Sequence, residues 1–209
     1  MAKPELIARQ SRRPSGWLGE IVARVMSFET APANRIAVDE LAAQPGEAIL
    51  EIGCGHGRTL ARIATSPCAR LAGVDPSDVM VRLARRRLRR WIESGRAEIA
   101  LASSASLPHP EQRFDAVLAV HVVYFWSDPR ADLREVHRVL RPGGRLLLGY
   151  RQRSPETLAA LPATVYALRA ATEIEALLAE AGFVAVHTVE RFGISYTHAC
   201  RAASAGQRA

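Results

Sequence analysis

The stretch that decides the fold is ILEIGCGHGRT, at residues 49–59. An apolar strand pattern, interrupted by Glu51, runs directly into three glycines at alternate positions. Glycine lets the backbone turn sharply, and it lets a ligand come close because it has no Cβ. A strand, such a loop and then a helix predict a ligand outside the carboxyl end of the strand, beside the helix N-terminus. A plain turn that binds nothing is the alternative for this loop taken alone.

Short apolar strands alternate with amphipathic helices along the rest of the chain, which predicts an α/β domain. A link of three residues, 191–193, joins the last two strands, so we expect them to form an antiparallel hairpin. The expected fold is a Rossmann-like, doubly wound sheet of seven mostly parallel strands with this C-terminal hairpin. Strands are predicted at residues 47–52, 71–75, 97–101, 114–120, 145–150, 183–190 and 194–201. Helices are predicted at residues 17–27, 32–41, 77–91 and 128–140, from residue 58, and after a capping box at 172–175, with a tight turn at 141–144.

Length and composition predict one domain. The chain has 209 residues, of which 48% are hydrophobic and 23% charged, and this is enough to bury a sizeable core. We expect a flexible N-terminus at residues 1–16 and a flexible tail at residues 204–209. A single domain is expected at residues 17–203, with residues 17–43 as its helical lid.

The sequence gives no sign of a membrane, a secretory signal or a metal. No apolar run approaches the ~20 residues of a membrane-spanning helix, and the polar, basic N-terminus lacks the apolar part of a secretory signal. The cytoplasm is therefore the expected location. Cys54, Cys68 and Cys200 are dispersed and form no C-x-x-C pair, which predicts neither a disulfide framework nor a metal site.

The net charge of +7 brings a nucleic-acid partner into consideration. Lys3 is the only lysine, however, so the excess of arginine also fits a compositional bias of the source genome. The densest basic cluster fits a solvated helix face, and no aromatic residues for base stacking interleave with it. These observations disfavour a nucleic-acid partner. The cluster consists of Arg82, Arg85, Arg86, Arg87, Arg89 and Arg90.

The glycine spacing and two carboxylates narrow the choice of ligand. In the dinucleotide fingerprint G-x-G-x-x-G the third glycine would stand one residue later than Gly57 does. Glu51 would repel a pyrophosphate and favour a ligand with cationic groups. Asp75 ends the second strand, where an acid accepts hydrogen bonds from ribose hydroxyls in nucleoside-binding domains. As an alternative, Asp75 satisfies only backbone donors and Ser77 only caps the next helix.

Four stretches in this order resemble the motifs of class I S-adenosylmethionine-dependent methyltransferases. More narrowly, they resemble the small-molecule, type 11-like group related to the ubiquinone and menaquinone methyltransferases. The resemblance covers about residues 41–201. The stretches are LEIGCGHG at residues 50–57, GVDPS at 73–77, FDAV at 114–117 and LRPGG at 140–144.

The resemblance implies that S-adenosyl-L-methionine is the cofactor and S-adenosyl-L-homocysteine the product. In that family an aspartate after the third strand reads the adenine. Ser103 occupies that position in this chain, and its uncharged hydroxyl would make a weaker hydrogen bond to the adenine. The backbone amide of Ser104 can still contact the adenine. The implied cofactor-binding residues are Glu51, Gly53, Cys54, Gly55, Gly57, Thr59, Asp75, Pro76, Ser77, Met80, Ser103, Ser104, Ala105, Val120 and His121.

The chemistry to expect is an in-line displacement onto a small, hydrophobic acceptor, in which the protein aligns the reactants and excludes water. An acceptor that loses a proton needs a base, and His121 suits that role near neutral pH. Tyr124 and Tyr196 are weaker candidates. We expect a monomer or a homodimer. The acceptor pocket is predicted to be lined by Tyr124, Phe125 and Trp126, and by two lids that present Trp17, Met26, Phe28 and Asn34, and Leu161, Val165, Tyr166 and Leu168.

Three other functions are compatible with parts of this pattern. An NAD(P)-dependent oxidoreductase shares the fold, but the glycine spacing and Glu51 argue against it. A nucleic-acid methyltransferase fits the basic charge, but the chain lacks an added recognition domain and an Asn/Asp-Pro-Pro-Tyr/Phe motif. A non-catalytic protein that binds the cofactor as a partner subunit is the third.

Overall fold

The computed structural model describes residues 3–66 and 70–204. Its centre is a seven-stranded sheet in the order β3-β2-β1-β4-β5-β7-β6. β7 runs antiparallel to its neighbours β5 and β6, and the other neighbouring pairs are parallel. The predicted fold class is thereby confirmed. The strands are β1 (Ala48–Ile52), β2 (Arg70–Asp75), β3 (Ala97–Leu101), β4 (Phe114–Val120), β5 (Leu140–Tyr150), β6 (Phe183–Arg191) and β7 (Ile194–Arg201).

Helices cover both faces of the sheet. On one face, α3, α4 and α5 bury side chains such as Ala37, Leu60 and Ala84 against the sheet. On the other face, α7 and α9 bury Val136 and Leu178. The helices are α1 (Glu5–Arg12), α2 (Gly16–Glu29), α3 (Ala31–Leu41), α4 (Arg58–Ile63), α5 (Asp78–Arg87), α6 (Arg89–Glu93), α7 (Pro129–Val139), α8 (Pro155–Ala160) and α9 (Ala171–Glu180), with a short 3-10 helix at Val123–Phe125.

The strand order places a crevice between β1 and β4. From β1 the chain continues outward to β2 and β3, and from β4 it continues in the other direction. Loops that leave β1 and β4 therefore diverge above the carboxyl ends of these strands, and open sheets of this kind bind ligands at that point. Most of β4 is buried, which agrees with its almost continuous apolar sequence.

Several predicted segments differ in detail. Residues 5–12 form α1, although the sequence predicted a loose end there. The predicted helix 77–91 is divided at Leu88 into α5 and α6. Residues 141–144, predicted as a turn, bulge out within β5, because Phe114 pairs with Leu140 and Ala116 with Arg145. α9 begins at Ala171, and Glu173 caps it by accepting the N–H of Ala170 at 2.7 Å, so the capping box at 172–175 is wrong. Cys68 and tail residues 205–209 lie outside the described residues.

The arginine cluster is exposed on α5 and α6, and much of it has partners within the protein. Arg82 pairs with Glu20 at 2.9 Å, and Arg85 donates to the carbonyl of Ile99. The guanidinium of Arg90 lies 3.8 Å from the ring centre of Trp91. Within residues 3–66 and 70–204, no helix is both long enough and apolar enough to cross a membrane.

Candidate functional site

A cavity of about 1360 Å³ opens at the carboxyl ends of β1, β2 and β4. Pockets for one small ligand usually measure about 300–1,000 Å³, so this cavity has room for two reactants side by side. The structure brings most of the predicted site residues to its wall. These are Glu51, Gly53, Cys54, Gly55, Thr59, Asp75, Pro76, Met80, Ser103, Ser104, Ala105, Val120, His121 and Tyr124.

The glycine loop takes a left-handed backbone at each of its three glycines. The φ angles are 69° at Gly53, 51° at Gly55 and 76° at Gly57, a region that other residues rarely adopt. The N–H groups of Gly53 and Cys54 both donate to the carbonyl of Val74 on β2. A Cβ at Gly53 would also overlap Cγ1 of Val122. The alternating glycines therefore fit this loop between β2 and the turn that follows β4.

Two of the predicted cofactor residues are turned away from the cavity. A Cβ at Gly57 would meet Ala84 and Leu88 at 3.1–3.2 Å, so this glycine allows α5 to pack against the loop. The buried hydroxyl of Ser77 accepts the N–H of Met80 and donates to the carbonyl of Pro14 at 2.5 Å. Gly57 and Ser77 shape the site through neighbouring elements, and neither lines the cavity.

Asp75 holds the glycine loop against the start of α5. One carboxylate oxygen accepts the N–H of Gly55 and the other accepts the N–H of Ser77, both at 2.9 Å. Burial raises the pKa of Asp75 to about 6, although the two backbone donors act in the opposite direction. A carboxylate can accept about four hydrogen bonds, so Asp75 keeps acceptor capacity toward the cavity it lines.

Glu51 is a buried carboxylate with one oxygen left unpartnered. The side chain is 4% exposed, and it accepts hydrogen bonds from the hydroxyl of Thr59 and the N–H of Leu60. Among the described residues, nothing donates to its Oε2. Burial raises the pKa of Glu51 to about 8. Because buried polar atoms are nearly always hydrogen-bonded, this oxygen indicates that a polar partner belongs in the cavity beside it, and a cationic donor there would favour the ionised carboxylate.

We expect Glu51→Gln to stabilise the ligand-free protein progressively as the pH rises from about 5 to 8.5. The folded state holds the proton of Glu51 more tightly than the unfolded state, because its pKa rises from 4.5 to about 8 on burial. Wild-type stability therefore falls as the pH increases through this window, whereas glutamine does not ionise. Thermal unfolding of both proteins across pH measures the effect, at roughly 2–4 °C per kcal/mol for a chain of this size. Parallel pH profiles would contradict it.

His121 follows β4 in a strained backbone conformation. Its φ of 59° lies in the left-handed region, and its N–H donates to the carbonyl of Gly149 at 2.7 Å. Burial, together with the charges of Arg151 and Lys3, lowers the pKa of His121 to about 4. The imidazole is therefore neutral at neutral pH. Strain of this kind concentrates at functional sites.

Tyr124 forms a pair with His121. The tyrosine oxygen lies 2.6 Å from Nδ1 of the histidine and accepts the backbone N–H of Arg151. Burial raises the pKa of Tyr124, so its hydroxyl stays protonated. When the hydroxyl donates to Nδ1, Nε2 carries the imidazole proton. In the other tautomer Nδ1 donates to the tyrosine oxygen, and Nε2 is free to accept a proton.

The far end of the cavity is lined by Met80 and the loop after β3. Ser103 is exposed there, whereas the hydroxyl of Ser104 donates to Asp132 on α7. Asp132 is 3% exposed and also lines the cavity, and burial raises its pKa. The sequence did not identify this carboxylate, because it belongs to a helix whose pattern indicated only packing.

Several residues predicted for the acceptor wall lie on the wall of this cavity. Tyr124, Phe125 and Trp126 line the cavity, and Tyr166 joins them with its ring centre 5.0 Å from that of Phe125. Among the predicted lid residues, Met26, Asn34 and Leu161 also line it.

Other predicted acceptor residues lie elsewhere. Trp17 and Phe28 are exposed outside the cavity, because the amphipathic helix α2 turns them to its outer side. Val165 and Leu168 are buried in the core, since apolar side chains pack there in preference. The hydroxyl of Tyr196 is buried and donates to the carbonyl of Ala33, so Tyr196 is not available to an acceptor.

Basic residues from the N-terminal segment and from the position after β5 also line the cavity. Lys3, Arg12 and Arg13 reach it because α1 packs beside α2, and Arg151 reaches it from the residue after β5. The sequence did carry a signal for α1, since Glu5 and Arg9 are four residues apart and pair at 2.7 Å. In the described part of the chain, no group of three or more His, Cys, Asp or Glu side chains is placed to hold a metal ion.

Residues 50–148 match the protein family described as "Methyltransferase domain". The chain is similar to an O-methyltransferase of Pyrenophora dematioidea, with 32% identity over 160 residues that cover 73% of this chain and 60% of that protein. It is also similar to the 27-O-demethylrifamycin SV methyltransferase of Amycolatopsis mediterranei (strain S699), with 32% identity over 134 residues, 64% of this chain and 49% of the relative.

A solved structure shares the fold over most of both chains. It is an S-adenosylmethionine-dependent methyltransferase from Aquifex aeolicus, with a TM-score of 0.71 and 18% identity, covering 86% of this chain and 96% of that one. The chain spans 60%, 45% and 49% of the lengths of three curated relatives that it matches.

Proposed function

Because the chain belongs to the class I S-adenosylmethionine-dependent methyltransferases, we propose that this cavity binds S-adenosylmethionine next to a small-molecule acceptor. The observation that carries the proposal is the unpartnered, buried oxygen of Glu51, which lines the same cavity as Asp75. The carboxylate of Glu51 suits an ammonium group, and the carboxylate of Asp75 suits ribose hydroxyls. A sulfonium amino-acid nucleoside carries both groups in one molecule.

The residues present fit this cofactor along its length. Glu51 would accept from its ammonium group, while Gly53 and Gly55 allow close approach. Asp75 would accept from the ribose hydroxyls, and the adenine would lie between Met80 and the loop of Ser103, Ser104 and Ala105. Asp132, which accepts a hydrogen bond from the hydroxyl of Ser104, would orient that loop.

S-adenosylmethionine, when bound, supplies a methyl group on a sulfonium that a nucleophile attacks in line. The chain's own residues position the acceptor and take its proton. The aromatic rings of Tyr124, Phe125 and Tyr166 exclude water from the acceptor side. His121 accepts the acceptor's proton at Nε2 in the tautomer in which Nδ1 donates to the oxygen of Tyr124, 2.6 Å away.

The acceptor is a small molecule with an oxygen nucleophile. The relatives' names, an O-methyltransferase and a rifamycin methyltransferase, support an oxygen acceptor. The cavity has aromatic walls and lies under short segments of this same domain, which suits a small organic molecule. A hydroxyl acceptor would also use the base at His121.

Calorimetric titration with S-adenosylhomocysteine tests the cofactor assignment, and NADP under the same conditions is the control. We expect the nucleoside to bind and NADP not to bind, because an ammonium group beside Glu51 would stabilise its carboxylate, whereas a pyrophosphate would gain no cation from this residue. Binding of NADP in place of S-adenosylhomocysteine would favour an oxidoreductase and reject the proposal.

We expect Gly55→Ala to weaken S-adenosylhomocysteine binding at least tenfold, and Gly95→Ala to leave it unchanged. Both glycines have a positive φ and open space where a Cβ would stand, so both variants lose a similar stability of about 1–2 kcal/mol. Only Gly55 lines the cavity, where the new methyl group would occupy ligand space. Calorimetry and thermal unfolding of the two variants separate ligand exclusion from backbone strain. Equal affinities would contradict the placement of the cofactor.

A further inference from the structure

Two cations lie on the acceptor side of the cavity beside His121. Lys3 comes from the N-terminal segment, and its backbone N–H donates to the carbonyl of Ala160 at 2.8 Å. Arg151 follows β5, and its backbone N–H donates to the oxygen of Tyr124. Both residues line the cavity, and both charges act on the imidazole of His121. The two cations therefore contribute positive potential at the imidazole that would receive the acceptor's proton.

Neither cation has an acidic partner in the described part of the chain. Within residues 3–66 and 70–204, no Asp or Glu carboxylate lies within 4.0 Å of the side-chain nitrogens of Lys3 or Arg151. Other arginines do have carboxylate partners, as Arg145 has Glu47 at 2.5 Å and Arg141 has Asp115 at 2.7 Å. Lys3 is half-buried, where an unpaired charge is unfavourable. The arrangement leaves a place for an anion from outside the chain.

The walls next to this place are aromatic. Tyr124 and Phe125 meet edge to face with ring centres 5.4 Å apart, and Tyr166 packs against both. Flat rings of this kind suit a planar aromatic ligand. The ligand chemistry that matches the site is therefore a ring that carries a negative group toward Lys3 and Arg151 and a hydroxyl toward His121.

We propose that the methyl acceptor is an aromatic hydroxy acid, whose carboxylate binds between Lys3 and Arg151 while its hydroxyl lies against His121. This inference rests on the proposed function. In the reaction, the hydroxyl oxygen forms a bond to the methyl carbon as the carbon–sulfur bond breaks. The electron pair of the broken bond stays on sulfur, and the hydroxyl proton passes to Nε2 of His121 and then to solvent.

The test compares three hydroxybenzoate isomers with their methyl esters, which keep the ring and hydroxyl but lose the charge. Binding is measured by calorimetry to the enzyme saturated with S-adenosylhomocysteine. We expect at least one acid to bind roughly tenfold or more tightly than its ester, since charge-assisted hydrogen bonds are about twice as strong as neutral ones. Lys3→Gln and Arg151→Gln should each remove this preference. Lys3→Arg keeps the charge and should retain it, as should Arg35→Gln, which removes another cation from the cavity wall.

Selective labelling of Lys3 gives a second measurement on the wild-type protein. Lys3 is the only lysine, so mass spectrometry can follow its acylation separately from that of the terminal amine. We expect the bound acid to slow the acylation of Lys3, and its ester to have no effect.

Each contrary result has a separate meaning. Equal binding of acids and esters, no binding of any acid, or acylation that the acid does not slow would each overturn the anionic acceptor. Weaker binding of S-adenosylhomocysteine to Lys3→Gln or Arg151→Gln would also overturn it, by assigning the cations to the cofactor's own carboxylate. Failure of the wild-type protein to bind S-adenosylhomocysteine at all would instead reject the proposed function.

Discussion

Asp75→Asn is expected to weaken S-adenosylhomocysteine binding by roughly 100-fold. A hydrogen bond to a charged group contributes about 1.5–3 kcal/mol, and every 1.4 kcal/mol is tenfold in affinity. The carboxylate accepts from the N–H groups of Gly55 and Ser77 with its two oxygens. Asparagine has only one acceptor oxygen, so its amide NH2 would face one of these N–H donors. The variant therefore disturbs the glycine loop as well as the ribose contact.

Asp78→Asn is the matched control for this substitution. Asp78 is exposed in the first turn of α5, three residues from Asp75. Asp78→Asn removes the same charge as Asp75→Asn, and Asp78 does not line the cavity. Calorimetry at pH 7.5 compares the two variants, and thermal unfolding reports their stability. An affinity of Asp75→Asn close to that of wild type would remove Asp75 from the cofactor site.

His121→Asn is expected to lower turnover by roughly 100-fold and to leave S-adenosylhomocysteine affinity nearly unchanged. General bases typically contribute 10²–10⁴-fold. Asparagine is the right replacement because it tolerates the left-handed backbone that His121 adopts. The measurement is transfer of a labelled methyl group to the acceptor that a screen of phenols, hydroxy acids, amines and quinone precursors identifies. Unchanged turnover at saturating acceptor would exclude His121 as the base.

Tyr124→Phe tests the same pair from the other side. The variant keeps the ring contacts to Phe125 and Tyr166 and loses only the hydroxyl that lies 2.6 Å from Nδ1. We expect a drop in turnover of about tenfold, from the loss of a hydrogen bond of about 1–1.5 kcal/mol. Tyr150→Phe is the control, since its hydroxyl also makes a buried hydrogen bond, to Thr197. That variant should lose stability and keep its turnover.

The sequence predicted the fold and the cofactor side of the cavity because their signals are local. The loop within residues 49–59 has a left-handed backbone at Gly53, Gly55 and Gly57, a conformation that glycine adopts most readily. Asp75 follows from the end of the next strand. The structure brings most of the predicted residues to one cavity, and that they bind the cofactor stays a prediction.

The remaining differences come from contacts between distant segments. Ser77 was predicted to bind the cofactor, but its hydroxyl donates to the carbonyl of Pro14. Lys3 reaches the cavity from the chain end before α1, where the local sequence pattern indicates only a polar terminus. Asp132 reaches it from α7, where the pattern indicates only a packed helix. Which side of α2 carries Trp17 and Phe28 also depends on packing partners that sequence periodicity does not identify.

The hydrogen bond between Tyr196 and Ala33 has a consequence for how the protein is made. It joins β7 to α3 across 163 residues. A ribosome adds about 5–20 residues per second, so roughly 8–30 s pass between the synthesis of Ala33 and that of Tyr196. The contacts among the glycine loop, Asp75 and Ser77 lie within one short stretch and are available much sooner. During synthesis the segments that form the glycine loop are therefore available to each other early, and the β7 partner of α3 is among the last parts of the domain to be made.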